Sequence, residues 1–297
     1  MDRRQFFASS SFFALTGLAM GARAGTDPAP AAAPPGGLRT ISYNVLACRG
    51  FPKTRANKER LDRAGEGMAA RFALELSLYA PGIVTFQESP FAEKVARIAG
   101  QMGMNYVFFP GGWEGDSNWP GGFPGTVMTR FAIVEHENCP LASGKRPEDL
   151  FTRHWGRAVI KTDNEELSLY SAHLHPNDKG IREQEITQIL KVLEPDLKSG
   201  RSLLLQGDLN HAPSDPEYKR WVDAGLLDAL PAKGDGTAHS SPSTKPRSRI
   251  DYIWAHGPLA DRLSECRVLF EGAFRTNPDD PQSFALSDHV PVLACFD

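Results

Sequence analysis

Cysteine is scarce in this chain: four residues among 297, at positions 48, 139, 266 and 295, with no CxxC pair. That spacing argues against a structural zinc site and leaves free thiols and one or two bridges equally open. Surplus positive charge is missing too. Thirty-three Lys and Arg stand against 36 Asp and Glu, a formal net charge of −3, whereas general polyanion binders carry excess Lys and Arg to neutralise phosphates. There is no internal repeat, and no Pro/Gly-rich linker in the middle divides the chain. These absences leave one large α/β domain as the expected organisation.

The N-terminus reads as an address. Arg3-Arg4 precedes Phe6-Phe7, an apolar stretch covers residues 12–20, and Ala22-Arg23-Ala24 places small residues at both key positions of a cleavage site. The stretch is nine residues long, well short of the roughly 20 that span a bilayer. The paired arginines resemble a twin-arginine export signal, so residues 1–24 are expected to be removed and the product to be periplasmic or extracellular. Residues 25–37, rich in Ala, Pro and Gly, read as a leader without a core of its own. Loss of residues 1–24 takes the formal charge to −5. The domain is expected over residues 38–297, with no transmembrane segment.

Strand and helix patterns alternate along that domain. Apolar residues at 61, 64, 68, 72, 76 and 79 predict one helix over 59–79; 91–102 and 181–197 show the same period. Strand-like runs occupy 39–46, 83–86, 106–109, 126–129, 158–161, 167–174, 202–206, 250–254, 267–270 and 290–296. Residues 231–248, rich in Ser, Pro and Gly, read as a long surface loop. Several neighbouring strands are close enough to be antiparallel hairpins. The expected fold class is α/β (α+β): a four-layer sandwich of two mixed β-sheets packed face to face, with helices on the outside.

Six polar blocks sit where strands meet loops: Ser42-Tyr43-Asn44, Gln87-Glu88-Ser89, Ser171-Ala172-His173-Leu174, Gly207-Asp208-Leu209-Asn210, Arg249-Ile250-Asp251-Tyr252 and Ser287-Asp288-His289. Carboxylates, carboxamides and imidazoles brought together this way suit metal-assisted phosphoester hydrolysis. Glu88 is the candidate primary metal ligand, helped by Asn44, and hard oxygen donors suit Mg²⁺ or Mn²⁺. Asp208 and Asn210, two apart in extended chain, can point the same way. Asp251 and His289 are expected to pair, the carboxylate favouring the protonated imidazole. A protonated His289 would then donate to phosphate oxygens as charge develops. Asp288 is a candidate second ligand.

The ordered set Asn44, Glu88, His173, Asp208/Asn210, Asp251 and Asp288-His289 resembles the endonuclease/exonuclease/phosphatase superfamily over about residues 38–297. "GDLNHAP" (207–213) and "LSDHVPV" (286–292) are the most specific matches. The resemblance implies that Asp208 aligns or deprotonates the attacking water, that Asn210 orients it and contacts phosphate, and that His173 is a second imidazole donating to phosphate or assisting the leaving group. It also implies a substrate-binding role for Arg157. Gly82 stands where the family often has Asp, a structural position.

The substrate is expected to be a phosphoester: a small molecule, a lipid headgroup or nucleic acid. Trp113, Trp119 and Phe123, in a Gly-rich loop with Glu114 and Asp116, are candidate stacking surfaces or packing residues. Lys179, Arg182, Lys245, Arg247 and Arg249 are the few cations near the blocks. His175 and His211 lie outside the core pattern. A binuclear metallophosphatase would need a Gly-Asn-His-Asp/Glu block that the chain lacks. A non-catalytic binding module on the same fold would be expected to have lost Glu88, Asp208 or His289, and all three are present.

Overall fold

Two sheets form the centre of the molecule, each built around one parallel pair of strands. The computed structural model describes residues 23–25, 37–112, 122–163 and 165–297. Its first sheet runs in the order β1 (Arg23–Gly25), β4 (Asn105–Phe109), β5 (Gly125–Thr129), β3 (Ile83–Gln87), β2 (Leu38–Asn44), β13 (Val292–Phe296) and β12 (Leu263–Val268). The second runs β10 (Leu227–Asp228), β11 (Asp251–His256), β9 (Leu203–Asp208), β8 (Glu166–His173), β7 (Trp155–Lys161) and β6 (Ala132–Asn138). Only β2/β3 and β8/β9 are parallel; every other pairing is antiparallel.

The sheets pack face to face over Ile83, Val127, Ile160, Leu169, Leu204, Ile253 and Phe296, all buried. Helices α1 (Lys58–Ala64), α2 (Met68–Ser77) and α3 (Ala92–Met102) lie on the first sheet's side, where Phe72, Leu76, Ile98 and Met102 meet Tyr43 and Phe86. On the second sheet's outer side, α4 (Lys179–Ser199) and α5 (Pro216–Asp223) bring Ile186, Ile189, Leu193 and Trp221 onto Tyr170, Leu205 and Trp254. This is the four-layer sandwich expected from the alternating patterns. Asp178 caps the start of α4 through a bond from Ile181 N, and Gly200 closes its end in the left-handed region at φ 68°.

A polar belt crosses the inter-sheet core. Gln206 Nε2 donates to Thr40 Oγ1 at 2.6 Å, and Thr85 Oγ1 donates to Gln206 Oε1 at 3.1 Å. All three side chains are buried, so each bond avoids a penalty of about 1–3 kcal/mol for an unsatisfied polar group.

Three expectations change. The helix over 59–79 is interrupted by a 3₁₀ turn at Gly65–Gly67, where glycine weakens the helix. Strand β6 stands in addition to the expected runs: despite the apolar residues 131–134 it is a largely exposed edge. The loop over 231–248 is not merely superficial: Ser240 and Ser243 are fully buried. The four cysteines are free thiols. Arg23 and Ala24, at the expected cleavage point, pair with Phe108 and Val107 of β4, while the twin-arginine and apolar segments lie outside the described residues. Among the described residues no helix is long and apolar enough to cross a membrane.

Candidate active site

Both parallel pairs point their C-terminal ends at one edge of the sandwich. β2 ends at Asn44, and β3 is followed directly by Glu88; β8 ends at His173 and β9 at Asp208. Strand register places His173 opposite Asp208, and Asp208 opposite Asp251, which opens β11. Asp288 and His289 arrive from the segment before β13. Glu88 and Asn210 turn the chain in the left-handed region, at φ 49° and 52°, uncommon for residues with a Cβ. Gly207 is required by close approach: a Cβ there would lie 1.8 Å from the Ala172 carbonyl oxygen on β8.

Asn44 links the two sheets. Its Nδ2 lies 3.0 Å from Asp208 Oδ2 and 3.3 Å from Glu88 Oε1, while its Oδ1 accepts from Leu46 N at 3.2 Å. The carboxamide nitrogen faces the carboxylates, and its oxygen, the atom expected to help hold a metal, accepts from the Leu46 amide. Asp208 Oδ1 accepts from Asn210 N at 3.1 Å, and Asn210 Nδ2 donates to Leu174 O at 2.9 Å. His289 Nδ1 lies 2.8 Å from Asp251 Oδ2, with its Nε2 3.8 Å from Asp208 Oδ2. Ser240 also donates to Asp251 Oδ2, and Ser243 Oγ donates to Ser287 O at 2.6 Å. The supposed surface loop thus clamps both Asp251 and the Ser-Asp-His segment. Its buried serines gave no sequence signal, because Ser is equally common in exposed turns.

Burial sets the charges. It pushes the Asp208 carboxyl up to about 7, with Asp251 adding to the shift and His289 opposing it. Glu88 is also raised by burial, opposed by Arg153. Burial disfavours charging of His289, yet the attraction and hydrogen bond of Asp251, with Asp208 and Asp288, hold it up at about 10. These acidic neighbours favour the imidazolium form of His289. His173 goes the other way, well below its ordinary value, through burial and the Arg153 cation.

Arg153 is the site residue that the sequence reading missed. Its Nη1 lies 3.3 Å from Glu88 Oε1 and 3.0 Å from His173 Nε2, and its guanidinium stacks 3.8 Å from the centre of the Phe123 ring. A guanidinium only donates, so His173 accepts, consistent with a neutral ring. The cation beside His173 is thus the arginine.

Arg157 requires correction: it bonds to Glu135 Oε2 at 3.1 Å and sits opposite Tyr170, away from the cleft. Along β7 it shares a face with Trp155, whose ring stacks on Tyr170 over the outer core. Trp113 and Trp119 lie outside the described residues. His211 is a core residue, taking the Trp221 Nε1 bond at 3.0 Å and stacking on Tyr252. His175 Nδ1 accepts from Asp178 N ahead of α4. Arg182 pairs with Glu217, Lys179 with Asp215 and Arg249 with Asp228. These three cations serve structure, and Lys245 and Arg247 make no ion pair among the described residues.

The donor chemistry fits a hard divalent cation. Asp208, Asp251 and His289 place ligand atoms within 4.8 Å of one another, and buried Asp251 Oδ1 has no hydrogen-bond partner. The carboxylates of Glu88, Asp208, Asp251 and Asp288 are oxygen donors of the kind a hard divalent cation takes.

The comparisons agree with this architecture. The model of the Endonuclease/Exonuclease/phosphatase family matches residues 41–289, and the chain belongs to that family. A mannosyl-6-phosphatase of Bacteroides thetaiotaomicron is similar at a TM-score of 0.64 and 19% identity, over 86% of this chain and 98% of that one. An AP endonuclease of Archaeoglobus fulgidus gives 0.60 and 17%, over 88% and 99%. A 3′ phosphatase of Neisseria, solved with product DNA hairpin, gives 0.58 and 18%, over 88% and 99%. At these identities the shared property is the fold of a phosphoester-hydrolase family, common to relatives with unlike substrates.

Proposed function

We propose that the protein is an exported, Mg²⁺-dependent phosphoesterase that hydrolyses a phosphodiester or phosphomonoester by in-line attack of an activated water. The observation that carries the reading is the unbroken line of contacts across both sheets, from Glu88 through Asn44 to Asp208, with the His289–Asp251 pair beside it. Asp208, once ionised, takes a proton from water as the water oxygen bonds to phosphorus, and the P–O bond to the leaving group breaks with its electron pair. Asn44 and Asn210 hold the Asp208 carboxylate in place through its two oxygens. His289 and Arg153 donate to the non-bridging oxygens as negative charge builds there. A bound divalent cation would neutralise phosphate charge and acidify water, with Glu88 and Asp288 as its main holders.

Net acidity favours a small-molecule or lipid-headgroup ester over a polynucleotide. Turnover of bis(p-nitrophenyl) phosphate with Mg²⁺, abolished by EDTA and restored by Mg²⁺ or Mn²⁺, tests the enzyme reading; binding without turnover would leave a binding module. Parallel assays on plasmid DNA, sphingomyelin and inositol phosphates test the substrate class, and preferential DNA cleavage would reverse the preference stated here. Export is tested by replacing Arg3 and Arg4 with Lys, which should retain the precursor in the cytoplasm; unchanged export would reject the twin-arginine route.

A further inference from the structure

Beside Glu88 the surface opens into a cavity of 790 Å³, lined by residues that take no part in the chemistry above. Two loops wall it. One follows Asn44 and supplies Arg49, Phe51 and Lys53; the other follows Glu88 and supplies Phe91, with Lys94 from the first turn of α3 just beyond it. The bond from Ala47 N to Glu88 O, 2.7 Å, ties these loops together at the metal-ligand end. Leu61 and Met68 make the floor apolar. Phe91 stands 58% exposed at the rim, a large ring left uncovered where it can meet a ligand.

The charge in the wall is one-sided. Lys53, Lys94 and Arg49 all line it, and Asp62, the one carboxylate among the described lining residues, is hydrogen-bonded to Lys58. Lys53 and Lys94 make no ion pair or side-chain hydrogen bond among the described residues. In a chain with net negative charge, an apolar floor rimmed by cations, opening directly beside a candidate phosphate site, selects a particular kind of guest.

We propose that this cavity receives the non-reacting part of the substrate, and that this part combines an apolar body with a second anionic group held by Lys53 and Lys94. The inference rests on the phosphoester reading for the placement of the first anion; the second anion and the apolar spacer are read from the cavity. Loops on a rigid scaffold set specificity in this manner, and charge-assisted bonds to an anion supply the discrimination.

Alkane-α,ω-bisphosphonates with spacers of increasing length, each compared with the alkyl monophosphonate of equal length, probe it without hydrolysis. Affinity is measured by calorimetry in Mg²⁺. At one spacer length the bisphosphonate should bind about tenfold tighter than its monophosphonate. The ratio should collapse towards one in Lys53→Glu/Lys94→Glu, and fall part way in the milder Lys53→Gln/Lys94→Gln should the reversal fail to fold. Lys245→Glu/Arg275→Glu, at two cations that line a separate cavity, should keep the ratio. Equal affinities at every length overturn the proposal, as does a gain that survives the Lys53 and Lys94 changes or is lost equally in the Lys245/Arg275 control. Turnover of bis(p-nitrophenyl) phosphate is read separately: its absence rejects the phosphoester reading, while the affinity ratios still judge the cavity.

Discussion

The β2/β3 and β8/β9 pairs are topological twins set in different surroundings. Each is the parallel centre of its sheet and delivers polar groups to the same edge. Glu88, after β3, keeps 13% of its side chain exposed and faces Arg153 and the cavity loops. Asp208, at the end of β9, keeps 3%, walled by His173, Asn44 and the neighbouring Asp251. Topology alone thus places groups, whereas burial decides what each can do. Burial raises both carboxyls, Asp208 as far as about 7, and the less closed side suits exchange of ligands and substrate.

The comparison breaks if the closed side proves dispensable. Asp208→Asn and His289→Ala should each lower kcat by more than about 100-fold, with circular dichroism showing a folded chain. Near wild-type rates in either folded variant would remove that residue from the mechanism. The two cationic candidates come next. Arg153→Ala should cost about tenfold or more in kcat/KM, and Arg157→Ala less than about twofold, since a partly exposed pair with Glu135 contributes little. The reverse order would move the substrate to the outer face of β7.

The pH dependence sharpens the contrast further. Catalysis needs Asp208 ionised and His289 protonated, so kcat/KM should be bell-shaped in pH, with limbs near about 7 and about 10 from the shifts at these two groups. Metal binding should move the acid limb lower, because a cation favours the carboxylate. Asp251→Asn removes the charge that raises His289, and the alkaline limb should move down; an unmoved limb would assign it to another group.

Stability follows the same two groups. Between the ordinary carboxyl value of 3.8 and about 7, the folded chain keeps the Asp208 proton while the unfolded chain has lost it. Between 6.5 and about 10 the folded chain likewise retains the His289 proton. In both windows the unfolded state binds fewer protons, so stability falls as pH rises. The His289 contribution is fully present below 6.5 and is lost as pH rises through about 10. Metal-free Asp208→Asn should therefore melt several degrees above wild type at pH 8 and no higher at pH 4. A modest effect is expected at Ser240→Ala, a few-fold loss in kcat with little change in KM, from a looser Asp251.

Much of the site was legible because apolar runs stop at charged or amide residues: Leu203 to Gln206 leads to Asp208, and Ile83 to Gln87 leads to Glu88. The four layers could be read from helix periods alternating with strand runs. Arg153 was not legible for a definite reason. It lies in a bend just before β7, and period-two alternation fixes a side chain's face only inside a strand. For Asn44 the sequence does not distinguish carboxamide oxygen from nitrogen; in the fold the oxygen accepts from the Leu46 amide and the nitrogen meets the acids. Ser240 and Ser243 sit in a segment whose composition is that of any exposed turn, so their burial is a tertiary fact.

The Thr40–Gln206–Thr85 belt has a mechanical consequence. Apolar faces attract without regard to direction, so two greasy sheets alone would tolerate slippage along each other. Gln206 is engaged by β2 through one end of its amide and by β3 through the other, two residues before Asp208 on the same strand. It acts as a dowel, locking the half of the cleft that carries Glu88 against the half that carries Asp208.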